Sequence, residues 1–257
     1  MSTSGSIIAF DLDSGRQKWV KQLQRDDVFV ICGHANIVNC PKGTLGADFD
    51  IGGSPMLIEL PGGKDRLIVT SKSGEIFGLD PARRGEVLWH NRIGRGGIAG
   101  GIQFGGASDN ERVYVPISDA DVTVGDTGLV KGRPMPGVSA LSADTGGQLW
   151  HAPAPPAICA WGTPCSNAHA SAPSVIPGVV FSGSWDGHER AYSTATGAIL
   201  WDYDTGASLN AVNGSKVNGG SIDQGGQTVS GGRLFVNSGS RNSYPGNGLL
   251  VFTVDGK

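Results

Sequence analysis

Apolar residues along this chain come in runs of four to seven, cut by Gly, Asp and Pro. After Gly53 the order is SPMLIEL, a PGGKD turn, RLIVTSK, a KSG turn, EIFGLD, a turn at Gly85 and EVLWHNR. Short β-rich runs bounded by turn residues predict strands, and four in succession predict one antiparallel sheet. The pattern recurs. One sheet runs from GGIAGGIQFGGA through RVYVPISD and VSALSA to QLWHAP, and another from ASAPSVIP through VVFSGS and ERAYST to ILWDYD. A last set gives GGSIDQGGQTVSGG, RLFVNSGS and LLVFTV. No stretch carries a 3.6-residue apolar period, so helix is expected to be minor.

Four segments end alike, in a Gly/Asp turn followed by tryptophan: Ile7–Trp19, Gly74–Trp89, Gly137–Trp150 and Asp186–Trp201. A fifth copy, Asn247–Lys257, stops before its tryptophan. Self-similar, strand-only units of about 40–50 residues predict an all-β fold, a β-propeller of four-stranded antiparallel blades. The chain opens on the third and fourth strands of one blade and closes on the first three of another. Residues 1–257 therefore read as a single partial propeller domain of about four and a half blades. A ring must close or leave sheet edges bare. The simplest reading is part of a seven- or eight-bladed ring; pairing of the terminal strands into a five-bladed ring, or dimerisation through open edges, are the alternatives.

The tryptophans at 19, 89, 150 and 201 are spaced by 70, 61 and 51 residues, more than a bare blade of about 45 requires. The surplus falls in three inserts: Asp26–Gly53, Ala120–Pro136 and Pro153–Asn167. Long loops on one rim of a rigid scaffold are where function is expected. The 42 glycines and 14 prolines suit a turn-dense chain. A net charge of −3 gives no basic footprint for nucleic acid, and no apolar run of about 18 residues predicts a membrane span.

The endings DLDSGRQKW, SADTGGQLW and STATGAILW resemble the tryptophan-docking repeats of quinoprotein alcohol dehydrogenases, which are eight-bladed propellers. NCPKGTLGADFDIGGSPML, TSKSGEIFGLDP, GGIQFGGASDNERVYVPISD, SGSWDGHERAYSTATG and NGSKVNGGSID are similar to the polyvinyl alcohol dehydrogenase branch, over essentially the whole chain. The resemblance implies oxidation of a secondary alcohol, a polymer such as polyvinyl alcohol among the candidates. It implies pyrroloquinoline quinone (PQQ) with Ca2+ as cofactors and a cytochrome c as electron acceptor. No C-x-x-C-H haem motif is present, so that acceptor is expected to be another domain or protein.

Site candidates follow from what such cofactors need: cations for carboxylates, oxygen ligands for calcium, and a base for the hydroxyl proton. Asp48 and Asp50 share one face of an extended segment and are candidates both for the base and, with Asp119, for the metal. Capping of a turn is their alternative role. Lys72, Arg95, Lys216 and Asn218 are candidates for binding the quinone. Gln103 and Phe104 stand at an expected strand start, Phe104 where family members often carry a stacking tryptophan. Asn167 and His169 complete the cofactor-binding set. Against the methanol dehydrogenase pattern, Leu141–Gly146 reads LSADTG without the usual first aspartate, no Gly-Ala-Glu insertion interrupts TSKSGEIF, and adjacent cysteines are absent. That site does not transfer intact. A non-catalytic propeller offering its rim to proteins, like the scaffold lipoprotein of outer-membrane barrel assembly, is the alternative function.

The cysteines form two close pairs, Cys32 with Cys40 and Cys159 with Cys165. Four cysteines allow three connectivities, of which closure within each loop is the economical one and implies an oxidising compartment; metal binding is the competing reading, and the periplasm is implied by the resemblance. No basic-then-apolar leader follows Met1, so the true amino terminus is expected to lie upstream.

Overall fold

The computed structural model describes residues 3–25, 27, 47–122, 130–240 and 244–255. Among them there is no α-helix, and all sheet pairings are antiparallel. The first sheet is a pair, β1 (Ser6–Phe10) and β2 (Gln17–Gln22). The second runs in chain order through β3 (Met56–Leu60), β4 (Lys64–Thr70), β5 (Glu75–Asp80) and β6 (Glu86–Arg92). The third holds β7 (Ala107–Ser108), β8 (Arg112–Ile117), β9 (Gly137–Ser142) and β10 (Gln148–Pro153). The fourth holds β11 (Ser174–Ile176), β12 (Val179–Gly183), β13 (His188–Ser193) and β14 (Ile199–Asp204). A hairpin, β15 (Ser208–Asn210) with β16 (Lys216–Asn218), precedes the fifth sheet of β17 (Gln227–Ser230), β18 (Arg233–Ser238) and β19 (Gly248–Phe252). This is the partial propeller expected, with a two-stranded start and a three-stranded last sheet.

Each gap between neighbouring sheets encloses its own core, and each core has one tryptophan at its margin. Trp19 packs with Ile7, Val69 and Leu79; Trp89 with Ile76, Val113 and Leu141; Trp150 with Tyr114, Val138 and Val180; Trp201 with Ile222, Val236 and Phe252. Because the middle strands face a core on both sides, β5, β8, β9 and β13 are buried almost throughout. Such strands read as near-continuous apolar runs rather than alternating ones.

The docking of these indoles is specific. Each lies opposite a small residue of its own sheet: Ala9, Gly78, Ala140 and Ala191 pair with Trp19, Trp89, Trp150 and Trp201, beside a register shift in each case. The ring then reaches the next sheet and covers a turn glycine. A methyl group on Gly85, Gly146 or Gly197 would come within 2.8, 2.3 and 2.6 Å of the Trp19, Trp89 and Trp150 rings. Those glycines have φ of 69°, 71° and 73°, the left-handed conformation that glycine adopts at low cost. Two indole N–H groups continue the contact, Trp89 to the Ala143 carbonyl at 3.3 Å and Trp150 to the Thr194 carbonyl at 3.0 Å.

The connections sort by end. Turns between first and second strands and between third and fourth strands are tight and lie at one end of every sheet. The described residues of the three long inserts lie at the other, with the segment 93–106 and the β15–β16 hairpin. Two expectations need correction here. The first strand of the third sheet shrinks to Ala107–Ser108, because Gly101 (φ 57°) and Gly105 (φ 104°) take the preceding glycine-rich run out of extended geometry. Lys216 and Asn218, expected just before a first strand, sit instead on the hairpin, both exposed.

Replacing Gly146 by Ala should destabilise the fold by about 3 kcal/mol, combining the left-handed penalty with overpacking against Trp89. Gly15→Ala, at φ 68° with open space around it, should cost only about 1 kcal/mol. Urea unfolding of the two variants checks the difference; equal losses would mean the indole contact contributes nothing.

Candidate active-site end of the sheets

At the end with the long loops, each sheet presents a turn between its second and third strands. Lys72, Trp185 and Gly239 occupy one backbone position there, donating N–H to the carbonyls of Asp50, Ala168 and Ser221; in the third sheet Ser118 donates to Gly101, and Asp119 follows. Neighbouring sheets are tied at the same level, Ile102 N–H to the Ser71 carbonyl and Ile222 N–H to the Ser184 carbonyl. One scaffold position thus carries an ammonium, a hydroxyl, an indole and a glycine, with the Asp119 carboxylate one residue further on in the third sheet.

Lys72, Asp48 and Asp50, all nominated from sequence, are brought together. The ammonium lies 2.9 Å from Asp48 Oδ2 and 3.1 Å from Asp50 Oδ2. Asp48 is in the left-handed region (φ 62°), its N–H bonded to Asp27 Oδ1 at 3.2 Å, and the Phe49 N–H also donates to Asp27. The two carboxyls act on each other and divide the charge unequally. Burial raises Asp48, outweighing the pull of Lys72, and the contact with Asp50 raises it further. Asp50 feels burial too, but the bonds from Asp48 and Lys72 hold it below the usual carboxylate range. Desolvation works against the Lys72 ammonium, yet the two carboxyls raise its pKa overall. Asp48 is therefore the carboxyl that keeps a proton most readily. Asp50, its side chain 63% exposed, is the reachable anion.

The other candidates are placed differently. Asp119 is buried, and its oxygens accept the N–H groups of Arg95 (2.8 Å), Gly96 (3.1 Å), Gly101 (2.8 Å) and Met135 (2.9 Å). Those bonds organise the loops and occupy the lone pairs a metal would need. Arg95 holds the same loop, with Nη1 on Asp121 Oδ1 at 2.6 Å and Nη2 on the Asp119 carbonyl at 2.9 Å. Gln103 is buried and donates to the Gly100 carbonyl; Phe104 is half-buried beside Gly53 and Gly105. Asn167 donates to the Pro155 carbonyl at 2.7 Å. His169 is fully buried, Nδ1 3.0 Å from Ser182 Oγ, and burial pulls its pKa down to about 3. It is a neutral core histidine packed edge-on to Tyr192, shielded from any alcohol.

Whether cofactors suit these residues turns on donor chemistry. An ammonium has three hydrogens, and the two carboxyls engage two of those on Lys72, leaving one for a cofactor oxygen. Burial raises Asp48 and so favours its neutral form, which lowers the negative charge the cluster presents to an anionic quinone. A quinone fits there. Calcium does not: among the described residues no three His, Cys, Asp or Glu side chains converge, and the Asp48–Asp50 pair already holds a cation. The Cys159–Cys165 disulfide is formed as expected; Cys32 and Cys40 lie outside the described residues. No helix among the described residues is long and apolar enough to cross a membrane.

Sequence reasoning passed over two features of this end. Trp185 has no repeat signature, and only the SGSWDG turn shared with TSKSGE marks its position. A hollow of about 520 Å³ lies beside it, lined by residues 118–122, Pro134 and Pro136 on one side and Ala157 and residues 164–167 on the other. A second, apolar hollow of about 480 Å³, lined by Trp201, Phe252 and Val254, lies at the tight-turn end, where the described part of the fifth sheet has three strands.

Repeated four-stranded sheets registered by indole-on-glycine contacts define a tryptophan-docked β-propeller. A family model described as outer membrane protein assembly factor BamB matches residues 72–219 and also 134–255, and the chain belongs to that family. Over 99% of its length it is 38% identical to a polyvinylalcohol dehydrogenase of a Pseudomonas species and 40% identical to that of Sphingopyxis sp. strain 113P3. It spans 40% of the length of each of these relatives. Among solved structures, quinohemoprotein alcohol dehydrogenase from Comamonas testosteroni superposes with a TM-score of 0.58 at 16% identity, over 99% of this chain and 43% of that one. At that identity the likeness shows the fold alone.

Lys72→Met should leave Asp48 and Asp50 without their counterion and cost about 2–3 kcal/mol at pH 7. A carboxyl whose folded pKa is raised destabilises as pH climbs through the window above its unfolded value. Removing the ammonium raises Asp48 further, so part of the loss should return near pH 4.5. Urea midpoints at the two pH values measure this; a deficit independent of pH would refute it.

Proposed function

We propose that this chain forms part of the ring of a PQQ-dependent dehydrogenase of secondary alcohols, with Asp48, Asp50 and Lys72 at its reacting end. The single observation carrying this reading is that cluster: a carboxylate open to solvent, backed by a partly buried carboxyl whose proton affinity burial raises and by an ammonium with a spare hydrogen. The identity to polyvinylalcohol dehydrogenases over nearly the whole chain supports it.

When bound, the quinone supplies the two-electron acceptor for hydride from the carbinol carbon. Lys72 Nζ orients it by donating its remaining N–H to a cofactor oxygen. Asp50 takes the hydroxyl proton on a carboxylate oxygen, and Asp48, beside it and raised in pKa by burial, moderates the negative charge the pair presents to the cofactor. Arg95 and Asp119 are positioning residues that fix the glycine loop 94–101. Lys216 and Asn218, exposed on the hairpin, and His169, sealed in the core, take no part. Calcium, if the complete ring binds it, draws its further ligands from elsewhere. A cytochrome c acceptor and a periplasmic location, which the Cys159–Cys165 disulfide suits, belong to the same reading.

The second reading is a non-catalytic propeller that binds proteins through its rim, favoured by the description of the matching family. A scaffold has no use for a partly buried ammonium between two carboxyls.

Titration with PQQ followed by absorbance, then dye reduction by 2-butanol, separates the two. The expected outcome is saturable quinone binding, abolished in Lys72→Met, with Asp50→Asn keeping the binding but losing at least about a hundredfold in dye reduction. Absence of quinone binding would overturn the proposal in favour of the scaffold.

A further inference from the structure

One residue breaks the repeat at the level of the Lys72 turn. After the fourth strand of each sheet, Leu23, Ile93, Ala154 and Thr205 donate their N–H groups to the carbonyls of Gly5, Gly74, Pro136 and Gly187. These four are one position of the repeat, and the residues that follow them are Gln24, Gly94, Pro155 and Gly206. That next position faces the turn of the following sheet: a methyl group on Gly94 would lie 3.2 Å from Asp119 Oδ1. Three sheets put glycine or proline there. The first puts a glutamine.

Gln24 spends its amide on the two serines that flank Lys72. Its Nε2 donates at 2.7 Å to Ser71 Oγ and at 2.8 Å to Ser73 Oγ, and both serines are fully buried. An amide nitrogen has two hydrogens, so both are used. Ser71 Oγ also accepts the Ser73 N–H at 3.0 Å, which fills its second lone pair and leaves its own hydrogen for the Phe49 carbonyl at 3.2 Å. Ser73 Oγ lies 3.0 Å from Ser71 Oγ but finds that acceptor full, and sends its hydrogen to Glu75 Oε2 at 2.8 Å. Arg92 closes the far side, with Nη2 3.3 Å from Glu75 Oε1 and Nη1 donating to the Ser73 carbonyl at 2.6 Å.

This order reaches the reacting groups. Phe49 stands between Asp48 and Asp50, so the Ser71 hydroxyl ties the peptide that carries both carboxyls to the turn that carries the ammonium. The Lys72 N–H on the Asp50 carbonyl, at 3.0 Å, is a second tie. Without the glutamine, Ser71 regains a lone pair that the Ser73 hydroxyl can fill by leaving Glu75, and the direction of every bond around Lys72 is released. Stability does not account for the residue. Gln24 Oε1 is buried without a partner, an unsatisfied acceptor that an apolar side chain of the same length would not bring.

We propose that Gln24 is a positioning residue for the Lys72, Asp48 and Asp50 group, ordering the serine hydroxyls on either side of the lysine so that ammonium and carboxyls keep their separations when a cofactor takes the spare N–H. The ordering is a property of this chain alone; its use by a quinone rests on the dehydrogenase reading. Support of this kind shows in reactivity and binding more than in stability.

Two readouts separate positioning from mere support of the fold. The first needs no cofactor: labelling by trinitrobenzenesulfonate at about pH 9, followed residue by residue through peptide mapping, with the exposed Lys64 as internal reference. An ammonium held between two carboxyls gives up its proton reluctantly and labels slowly, so Gln24→Met should raise the Lys72 rate at least about threefold with Lys64 unchanged. Ser71→Ala, which removes the tie to Phe49, should do the same. The second is titration with PQQ, in which Gln24→Met should weaken binding at least about fivefold, while Gly15→Ala, a destabilising change at the opposite end, should keep the wild-type affinity. Equal Lys72 labelling in wild type and both variants would overturn the assignment, as would wild-type quinone affinity in Gln24→Met. If Gln24→Met fails to fold, Ser71→Ala decides by the same two readouts. Faster labelling in the variants of a chain that binds no PQQ would support the positioning role and count against the dehydrogenase reading alone.

Discussion

An indole laid over a glycine that has no side chain sets the spacing between sheets, and the rest of the molecule depends on that spacing. Trp19, Trp89 and Trp150 each reach across to the turn of the following sheet and lie where a β-carbon would otherwise project. The contact is mostly dispersion and apolar burial, worth on the order of 2–3 kcal/mol for a half-buried ring. Its larger effect is geometric. Because the ring is long and stiff, it fixes the distance and angle at which two buried faces meet, and the four cores are filled to suit. Trp201 shows what takes over without a described glycine: its ring packs edge-on to Phe252 at 5.1 Å.

With the sheets registered, the two ends can diverge. The tight-turn end carries the docking glycines and cannot change without loosening the stack. The opposite end bears no such load, so inserts accumulate there at little cost in loop entropy. Asp48, Lys72, Asp119 and Trp185 all belong to that end. Their convergence follows from topology: in every sheet the entry to the first strand and the turn after the second lie side by side.

Much of this was legible in the sequence, and the residues show why. The tryptophan endings announce themselves because docking demands glycine and indole at a fixed separation. The strand runs from Met56 to Arg92 are clear because both faces of their sheet are buried. Lys72, Asp48 and Asp50 could be nominated as separate candidates, but not as one cluster, since their pairing joins a turn to a loop some 24 residues away. The glycine-rich run 94–106 misled for a local reason: glycine is silent about φ, and positive φ at Gly101 and Gly105 turned an expected strand into a loop. His169 misled because burial is not written in a single histidine. Asp119 was recognisable as special but not as a structural carboxylate, which depends on four backbone amides contributed by three loop segments.

The repeated turn position sharpens the contrast between structural and chemical residues. A propeller that only had to close would do well with glycine or serine there, as at Gly239. Asp119 shows a carboxylate made cheap: four N–H donors compensate its desolvation, so it costs the fold little and keeps no lone pair for a ligand. Lys72 shows the opposite choice. Its ammonium is partly buried, its counterions are two carboxyls of unequal proton affinity, and one of them faces solvent. Replacing such an ion group by apolar residues would commonly be neutral or stabilising, so the Lys72 group has no obvious structural reason to be there. It retains an exposed carboxylate, a carboxyl whose proton affinity burial raises and an unspent N–H within one contact network, the groups on which the proposed oxidation of an alcohol would draw.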